Sequence, residues 1–458
     1  MSQVLLLCPD RAGRLMAGTA SRYWEMARSL SARHDVTLAM AAPVEGMEPM
    51  RVRLTDLDAP GLPGLVEQSA AVVVQGYVLR KLPWLRAMRA PLVVDLYDPA
   101  PLAELELGRA GESDRDRQER FELGLSFTLE QLLYGDFFLA SHERARDFWL
   151  GMLAALGRLS PAVRAGDPLL ERLLAIVPTG LPDEPPPPAG AGTAPAHPAF
   201  EPGRQVLLWN GGIWDWMDAP TLLTAFARVL ERHPSTRLLF LGTGHPNPDV
   251  PAMSACAAAR EQADRMGLLD RTVFFGGWAP YAERHRWLQA ATLGVSLHGE
   301  HLEARFAWRS RLLDNLWCGL PAVLSAGDPL GERMAAGGAA VSVRPGDAAG
   351  VEAALDGLLA DPGRLRAMRA RAAELAPELC WSRLLAPVER FLAEPRVTRD
   401  RRRPPRYVDY LKEFLPHSPL HGALTARLGR VLEREGPAGL LRHALSRLTG
   451  RHRSSGNR

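Results

Sequence analysis

The sequence predicts an α/β protein built from two Rossmann-like, doubly wound domains that face each other across a cleft, with a basic helical tail. Two observations predict this fold. Short continuous apolar runs alternate with helical segments, as expected of parallel strands that are covered on both faces. A stretch rich in Pro, Gly and Ala divides these runs into two series. We therefore expect one domain at residues 1–181, a linker at 182–204, a second domain at 205–395 and a tail at 396–458.

The first series begins with the apolar run Val4–Cys8, a glycine loop and an amphipathic helix at Ser21–Ala32. Further short apolar runs predict the other strands of this sheet: Val36–Met40, Val72–Val74, Leu92–Val94, Asp136–Ala140 and Ala175–Pro178. A helix is expected after Ser141, whose hydroxyl can cap it. In sheets of this kind ligands bind beyond the carboxyl ends of the strands. Functional residues should therefore follow the strands directly.

The second series predicts a similar sheet. Its strands are expected at Gln205–Trp209, Leu238–Leu241, Thr272–Phe275, Leu293–Leu297, Ala322–Leu324 and Val341–Val343, and helices from Asp347 to about Glu394 complete the domain.

The stretch His298–Ser325 combines charge, aromatic residues and a helix stop. Apolar residues at helical spacing predict a helix from about Phe306, which Gly319 and a following proline end. Arginines at a helix N-terminus form an anion site, since the backbone N–H groups and the macrodipole favour the same charge. We interpret Arg305, Arg309 and Arg311 as a binding site for a diphosphate. The alternative is a solvated helix face with surface arginines.

Glycine turns follow three successive strands of the second series, at Gly211-Gly212, Gly242-Thr243-Gly244 and Gly276-Gly277. Such turns let backbone amides approach phosphate oxygens. Trp214 and Trp278 beside them suit a planar base or a sugar, and buried core aromatics are the alternative. None of the turns is G-x-G-x-x-G, which argues against a hydride-transfer enzyme. The sequence shows no metal motif and no G-x-S-x-G elbow, so no metal or cofactor is expected.

Charge is unevenly distributed along the chain. Residues 396–458 contain fifteen Arg or Lys and five Asp or Glu, a net charge of +10, while residues 1–395 carry −7. A basic helical tail can lie on an anionic membrane surface, and a solvated tail is the alternative. Only Lys81 and Lys412 are lysines, and the arginine-rich composition does not indicate nucleic-acid binding.

The remaining features predict a cytoplasmic protein, which the tail could bring to the inner face of the membrane. The opening residues do not resemble a signal peptide, and no apolar run reaches eighteen residues. The cysteines lack C-x-x-C spacing and are expected to be buried thiols: Cys8, Cys256, Cys318 and Cys380.

Over most of residues 1–390 the order of motifs resembles the GT-B glycosyltransferases of family 4. The residues that carry the resemblance are Gly18 before its helix, Val177-Pro178-Thr179-Gly180, Gly211-Gly212 with the helix through Phe226, Leu241–Gly244, Val273–Gly276 and Leu313–Val323. The last is the most specific. In the family, the segment that corresponds to Leu313–Val323 contains a Glu that binds the ribose of a sugar nucleotide. Asp314 occupies the position of that Glu.

Two departures from the family pattern affect the donor site. The family's Arg and Lys near the first glycine loop fall on Gly212 and Met217, and its usual sugar-contacting Glu falls on Phe306. We infer that the arginines of the 298–325 stretch replace the lost charges and that Glu300 or Glu303 contacts the sugar. The donor-binding residues would then be Gly211, Gly212, Trp214, Gly242, Trp278, Glu303 and Asp314.

In the first domain, the family's catalytic-side His falls on Tyr97, in the segment Val94–Pro99. The neighbouring carboxylates Asp95 and Asp98 are candidate acceptor-side groups. Gly18, Gln75 and Tyr77 complete the expected acceptor side. With the three arginines, Asp98 forms the expected catalytic set.

The resemblance implies transfer of a sugar from a nucleotide-sugar donor to a sugar or lipid-linked acceptor, without a metal and with retention of configuration. A role in making cell-surface polysaccharide or glycolipid would fit. Two other interpretations stay open. A sugar-nucleotide epimerase of the same fold would need no acceptor, and a non-catalytic nucleotide-sugar binder or scaffold would bind the donor without transfer.

Overall fold

The computed structural model describes residues 1–41, 50–108, 112–188, 195–247, 250 and 252–398. It contains two parallel sheets with helices on both faces, which confirms the predicted pair of doubly wound domains. The tail predicted at 396–458 lies outside the described residues from 399 onward.

The first sheet has the strand order β3-β2-β1-β4-β5-β6-β7. The order reverses beside β1, so the loops after β1 and β4 open at a switch point where ligands bind. The strands are β1 (Gln3–Leu7), β2 (Asp35–Met40), β3 (Val52–Asp56), β4 (Ala71–Val74), β5 (Leu92–Leu96), β6 (Phe137–Ala140) and β7 (Leu174–Ile176). The helices are α1 (Gly18–Leu30), α2 (Leu62–Gln68), α3 (Val78–Lys81), α4 (Ala100–Glu106), α5 (Asp114–Tyr134), α6 (Glu143–Ala155) and α7 (Pro161–Ala165), with a 3-10 turn at Pro83–Ala87.

The second sheet has the order β10-β9-β8-β11-β12-β13. Its strands are β8 (Gln205–Asn210), β9 (Thr236–Leu241), β10 (Val273–Gly276), β11 (Leu293–Ser296), β12 (Ala322–Ser325) and β13 (Ala340–Val343). The helices that follow β8 along the chain are α8 (Ala219–Arg232), α9 (Ser254–Arg265), α10 (Arg284–Ala290), α11 (Arg311–Trp317), α12 (Pro329–Ala336), α13 (Ala348–Leu359), α14 (Pro362–Leu375), α15 (Trp381–Leu384) and α16 (Ala386–Ala393). The 3-10 turns lie at Pro198–Phe200, Tyr281–Glu283, Glu303–Arg305 and Ala376–Leu379.

The last two helices return to the first domain. Trp381 and residues of α16 are buried in the same apolar cluster as α1 and β1, and Phe391 stacks on Phe137 with ring centroids 4.8 Å apart. The predicted boundary at residue 395 therefore needs correction, because α15 and α16 pack on the first sheet. Their amphipathic pattern identified helices but could not identify the sheet they cover.

Three local predictions also need correction. Strand β3 was not predicted, because its edge position leaves it largely exposed and polar. The cap of α6 is His142 and not Ser141: the His142 Nδ1 accepts from the Ala145 N–H at 3.3 Å. Helix α11 begins at Arg311 and not near Phe306, because the chain between the 3-10 turn Glu303–Arg305 and Arg311 is not helical.

The cysteines are all free thiols. Cys8 is buried, whereas Cys256, Cys318 and Cys380 are only half-buried. Within the described ranges, no helix is long and apolar enough to cross a membrane.

Candidate functional site

A cleft of about 670 Å³ lies where the carboxyl ends of the two sheets face each other. This volume is in the range of small-molecule sites. The first domain contributes the loops after β1 and β5 and the start of α1. The second contributes the loops after β8, β9 and β10 and the segment leading into α11. The cleft therefore lies beyond the carboxyl ends of the strands, where functional residues were expected.

The glycine loop after β8 faces Arg311. Gly211 has a φ of +118°, which favours glycine, and a Cβ placed on it would lie 3.3 Å from the Arg311 Cζ. The Arg311 Nη2 donates to the Gly212 carbonyl at 2.7 Å, and the Asn210 Nδ2 donates to the Arg311 carbonyl at 2.9 Å. Burial, and then the charge of Arg309, lower the pKa of Arg311. The glycine loop thus lies against the desolvated guanidinium of Arg311.

Arg309 lines the same cleft but is already ion-paired. Its Nη1 and Nη2 donate to the two carboxylate oxygens of Glu303, at 3.0 and 2.5 Å. Both side chains are almost fully buried, with 6% and 2% exposure. Arg309 therefore brings less net positive charge to the cleft than the sequence suggested.

Arg305 does not join this group. It is exposed, does not line the cleft, and its Cζ lies 5.9 Å from the centre of the Phe306 ring. The predicted cluster of three arginines is therefore reduced to two in the cleft. Of the two carboxylates considered for sugar contact, Glu303 lines the cleft and Glu300 is exposed outside it.

Asp314 lines the cleft and is held by an arginine that the sequence analysis did not single out. The Arg284 Nε donates to the Asp314 Oδ1 at 2.9 Å, and the Arg284 guanidinium lies between the rings of Tyr281 and Trp317. Tyr281 in turn donates its hydroxyl to Glu25 of α1 at 2.9 Å. This chain of contacts joins the predicted ribose carboxylate to the first domain.

Aromatic side chains cover one side of the cleft. Trp214 and Trp216 stack with centroids 5.1 Å apart, and His245 lies edge-on to both Trp214 and Trp278. Gly242 has a φ of +89°, and a Cβ there would lie 3.3 Å from Trp278. Trp214 and Trp278, both predicted to bind the donor, therefore line the same part of the cleft beside His245. Trp216 and His245 were missed, although the alternation Trp214-Asp215-Trp216 was a signal for the former.

On the other side, Gly18, Tyr77, Tyr97 and Asp98 all line the cleft, whereas Gln75 does not. A Cβ on Gly18 would lie 3.7 Å from both the Tyr97 hydroxyl and the Ser310 hydroxyl. The two domains therefore come close together at Gly18.

The two aspartates of the Val94–Pro99 segment differ. Asp95 is fully buried and forms a bidentate ion pair with Arg22, so its role is structural. Asp98 is open to the cleft, yet the surrounding protein removes enough bulk water to raise its pKa to about 7. The charge of Glu303 raises the pKa further, while Arg309 lowers it. Asp98 can therefore gain or lose a proton near neutral pH.

Among the described residues, no group of three or more His, Cys, Asp or Glu side chains is placed to hold a metal ion.

Residues 204–361 match the family model of the glycosyl transferases group 1. The structure has the GT-B fold, and residues 204–361 form its glycosyltransferase domain. Sucrose-phosphate synthase from Thermosynechococcus elongatus is 14% identical, over 86% of this chain and 99% of that one, with a TM-score of 0.59. WaaG, a glycosyltransferase involved in lipopolysaccharide biosynthesis, is 15% identical over 84% and 98% of the two chains, with a TM-score of 0.56.

HepE from Anabaena, solved in complex with UDP-glucose, is 13% identical to this chain. The match covers 86% of this chain and 100% of HepE, with a TM-score of 0.56. A comparison with curated protein sequences gives no significant match. At these identities the structural similarity establishes the fold, and the match of residues 204–361 establishes the glycosyltransferase domain.

Proposed function

We propose that this chain is a glycosyltransferase that binds a nucleoside diphosphate sugar, with the diphosphate beside Gly211, Gly212 and Arg311, and transfers the sugar to an acceptor held against the first domain. The observation that carries the proposal is the position of Arg311. Its side chain comes from the second domain's α11, yet it lies against the loop from which the family's usual cation is missing. A guanidinium there can offset the charge that develops on a leaving diphosphate.

Unpartnered polar atoms support a polar ligand at this place. The Arg311 Nη1 and the Asn210 Oδ1 are buried and have no hydrogen-bond partner among the described residues. The same holds for the indole N–H groups of Trp216 and Trp278. Buried polar groups are rarely left unsatisfied, so a ligand in the cleft would restore these bonds. The indole rings of Trp214, Trp216 and Trp278 would face a base or sugar ring.

The donor class can be narrowed for a first test. HepE was solved with UDP-glucose, and this supports starting with uridine diphosphate sugars. The proposal includes family 4 membership, retention of configuration, reaction without a metal, and a sugar or lipid-linked acceptor in cell-surface polysaccharide or glycolipid synthesis. All of these rest on the resemblance of the motifs. The basic tail would bring a cytoplasmic enzyme to the inner face of the membrane.

Within the cleft, the residues have separate roles in the proposal. Asp314, oriented by Arg284, would accept hydrogen bonds from the ribose hydroxyls, and Glu303 would face the transferred sugar. Asp98, on the acceptor side, would take the proton of the attacking hydroxyl, since its pKa is raised to about 7.

A thermal-shift panel of nucleoside diphosphates and their sugars tests the donor site directly. Ligand at about 100 times its dissociation constant stabilises the folded protein by about 2.7 kcal/mol. We expect one base to raise the unfolding temperature of the wild type, and Asp314→Ala to lose most of that shift. Asp356→Ala, which alters an exposed ion pair on α13, serves as the control. The absence of a shift with every nucleotide would contradict the proposal.

A product assay then separates the enzyme classes. Transfer to an added acceptor supports the glycosyltransferase. A new sugar nucleotide formed from the donor alone would instead show the epimerase, and tight donor binding with neither transfer nor hydrolysis would show the binder. The anomeric configuration of the product and activity in a chelator test retention and metal independence.

A further inference from the structure

The start of helix α6 touches the second domain at the segment that carries Glu303 and Arg309. The Nε2 of His142 lies 3.0 Å from the backbone carbonyl oxygen of Phe306. The ring of Phe148, one and a half turns along α6, lies 5.5 Å from the Phe306 ring. These contacts cross from the first domain to the second.

The hydrogen bonds of His142 fix its tautomer. Its Nδ1 accepts from the Ala145 N–H, so the ring proton lies on Nε2 and is donated to the Phe306 carbonyl. Burial lowers the pKa of His142, which keeps the imidazole neutral. His142 thus uses one ring nitrogen to cap α6 and the other to hold the second domain.

The segment Glu303–Arg309 has a second tie to the first domain. The Trp308 Nε1 donates to the Thr179 carbonyl at 3.1 Å, close to the linker between the domains. Phe306 and Trp308 make these two ties, and the residues on either side of them, Glu303 and Arg309, pair inside the cleft. The N–H groups of Phe306 and Ala307 both donate to the Glu303 carbonyl, which makes the segment one compact turn.

We propose that His142 is a positioning residue, which acts through the Phe306 carbonyl to hold the Glu303–Arg309 turn at the cleft. The inference rests on the proposed function, because it concerns the residues that would face the transferred sugar. His142 itself does not line the cleft. Its effect on catalysis passes through one backbone hydrogen bond, whereas its effect on stability passes through the cap of α6.

Two substitutions separate these effects. His142→Asn places an oxygen near the position of Nδ1 and keeps the cap, but it is too short to reach Phe306. His142→Gln places an amide N–H near the position of Nε2 and keeps the cross-domain bond, but it caps poorly. One neutral hydrogen bond is worth about three- to tenfold in an equilibrium or a rate. We expect His142→Asn to lower kcat by about that factor, with a smaller fall in the unfolding temperature than in His142→Gln.

We expect the reverse for His142→Gln, with a lowered unfolding temperature and a kcat near that of the wild type. Equal losses of kcat in the two variants, or a loss only in His142→Gln, would overturn the proposal.

Hydrogen exchange gives a second measurement that does not depend on activity. His142→Asn should speed exchange of the Phe306 and Ala307 amides, and His142→Gln should restore their protection. Wild-type protein without transferase activity would refute the proposed function, whereas unchanged exchange at these amides in both variants would refute the role of His142.

Discussion

The guanidinium of Arg311 takes up the space that a side chain at position 211 would need. A Cβ on Gly211 would lie 3.3 Å from the Arg311 Cζ, and the Arg311 Nη2 donates to the next residue's carbonyl at 2.7 Å. The glycine loop and the arginine are 100 positions apart in the chain, yet they form one surface of the cleft. The proposed donor site depends on both.

Replacement of Arg311 tests the site most directly. We expect Arg311→Ala to lower kcat by about a hundredfold or more, since one lost electrostatic donor costs about 3 kcal/mol in the transition state. Arg305→Ala is the matched comparison, because Arg305 is exposed outside the cleft. Steady-state kinetics on both variants gives the answer. Equal losses of kcat would favour the cluster of three arginines predicted from the sequence. No loss in either variant would show that Arg311 does not stabilise the leaving diphosphate.

Gly211→Ala should disturb the same surface from the other side. Its φ of +118° is strained for any residue with a Cβ, at a cost of about 1–3 kcal/mol, and the methyl group would press on Arg311. We expect a lower unfolding temperature and weaker donor binding, both measurable by thermal shift. Gly277→Ala is the control, since its φ is not positive and a Cβ there meets no atom within 4 Å. Similar effects of the two substitutions would contradict this account.

The ion pair between Glu303 and Arg309 should show strong coupling. Removal of one partner leaves a buried charge without compensation, which costs about 3–5 kcal/mol of folding free energy. Glu303→Gln and Arg309→Met should therefore each destabilise the protein, and the double variant should be less destabilised than the sum. Urea unfolding of the four proteins measures the coupling. Additive effects would show that the two side chains do not interact as the structure indicates.

Asp98 should make stability and activity depend on pH near neutrality. Its pKa is raised from 3.8 to about 7, so between these values the folded state binds more protons than the unfolded state. The Asp98 contribution to stability is therefore lost as pH rises from about 4 to 7. We expect Asp98→Asn to raise the unfolding temperature at pH 8 but not near pH 4. If Asp98 is the acceptor-side base, wild-type kcat should rise with pH through about 7.

Asp98→Asn should also remove that step in kcat along with most of the activity. A pH profile of Asp98→Asn parallel to that of the wild type would assign the step to another group.

Much of the fold followed from local pattern. Apolar runs such as Val4–Cys8 predicted buried parallel strands, because a strand covered on both faces must be apolar throughout. Glycine turns after β8 and β9 predicted where a ligand would approach, because the required backbone conformations at Gly211 and Gly242 favour glycine. These features depend only on neighbouring residues, so the sequence alone determined them.

Contacts between distant segments were decided by the tertiary structure alone. Burial of α16 on the first sheet and the approach of Arg311 to the Gly211-Gly212 loop depend on how the chain packs, and each element's own pattern is compatible with other outcomes. The tertiary structure also decided which arginines bring positive charge to the cleft. Three arginines in one stretch looked equivalent in the sequence, but in the structure Arg305 is exposed, Arg309 is paired with Glu303 and Arg311 lies against the glycine loop.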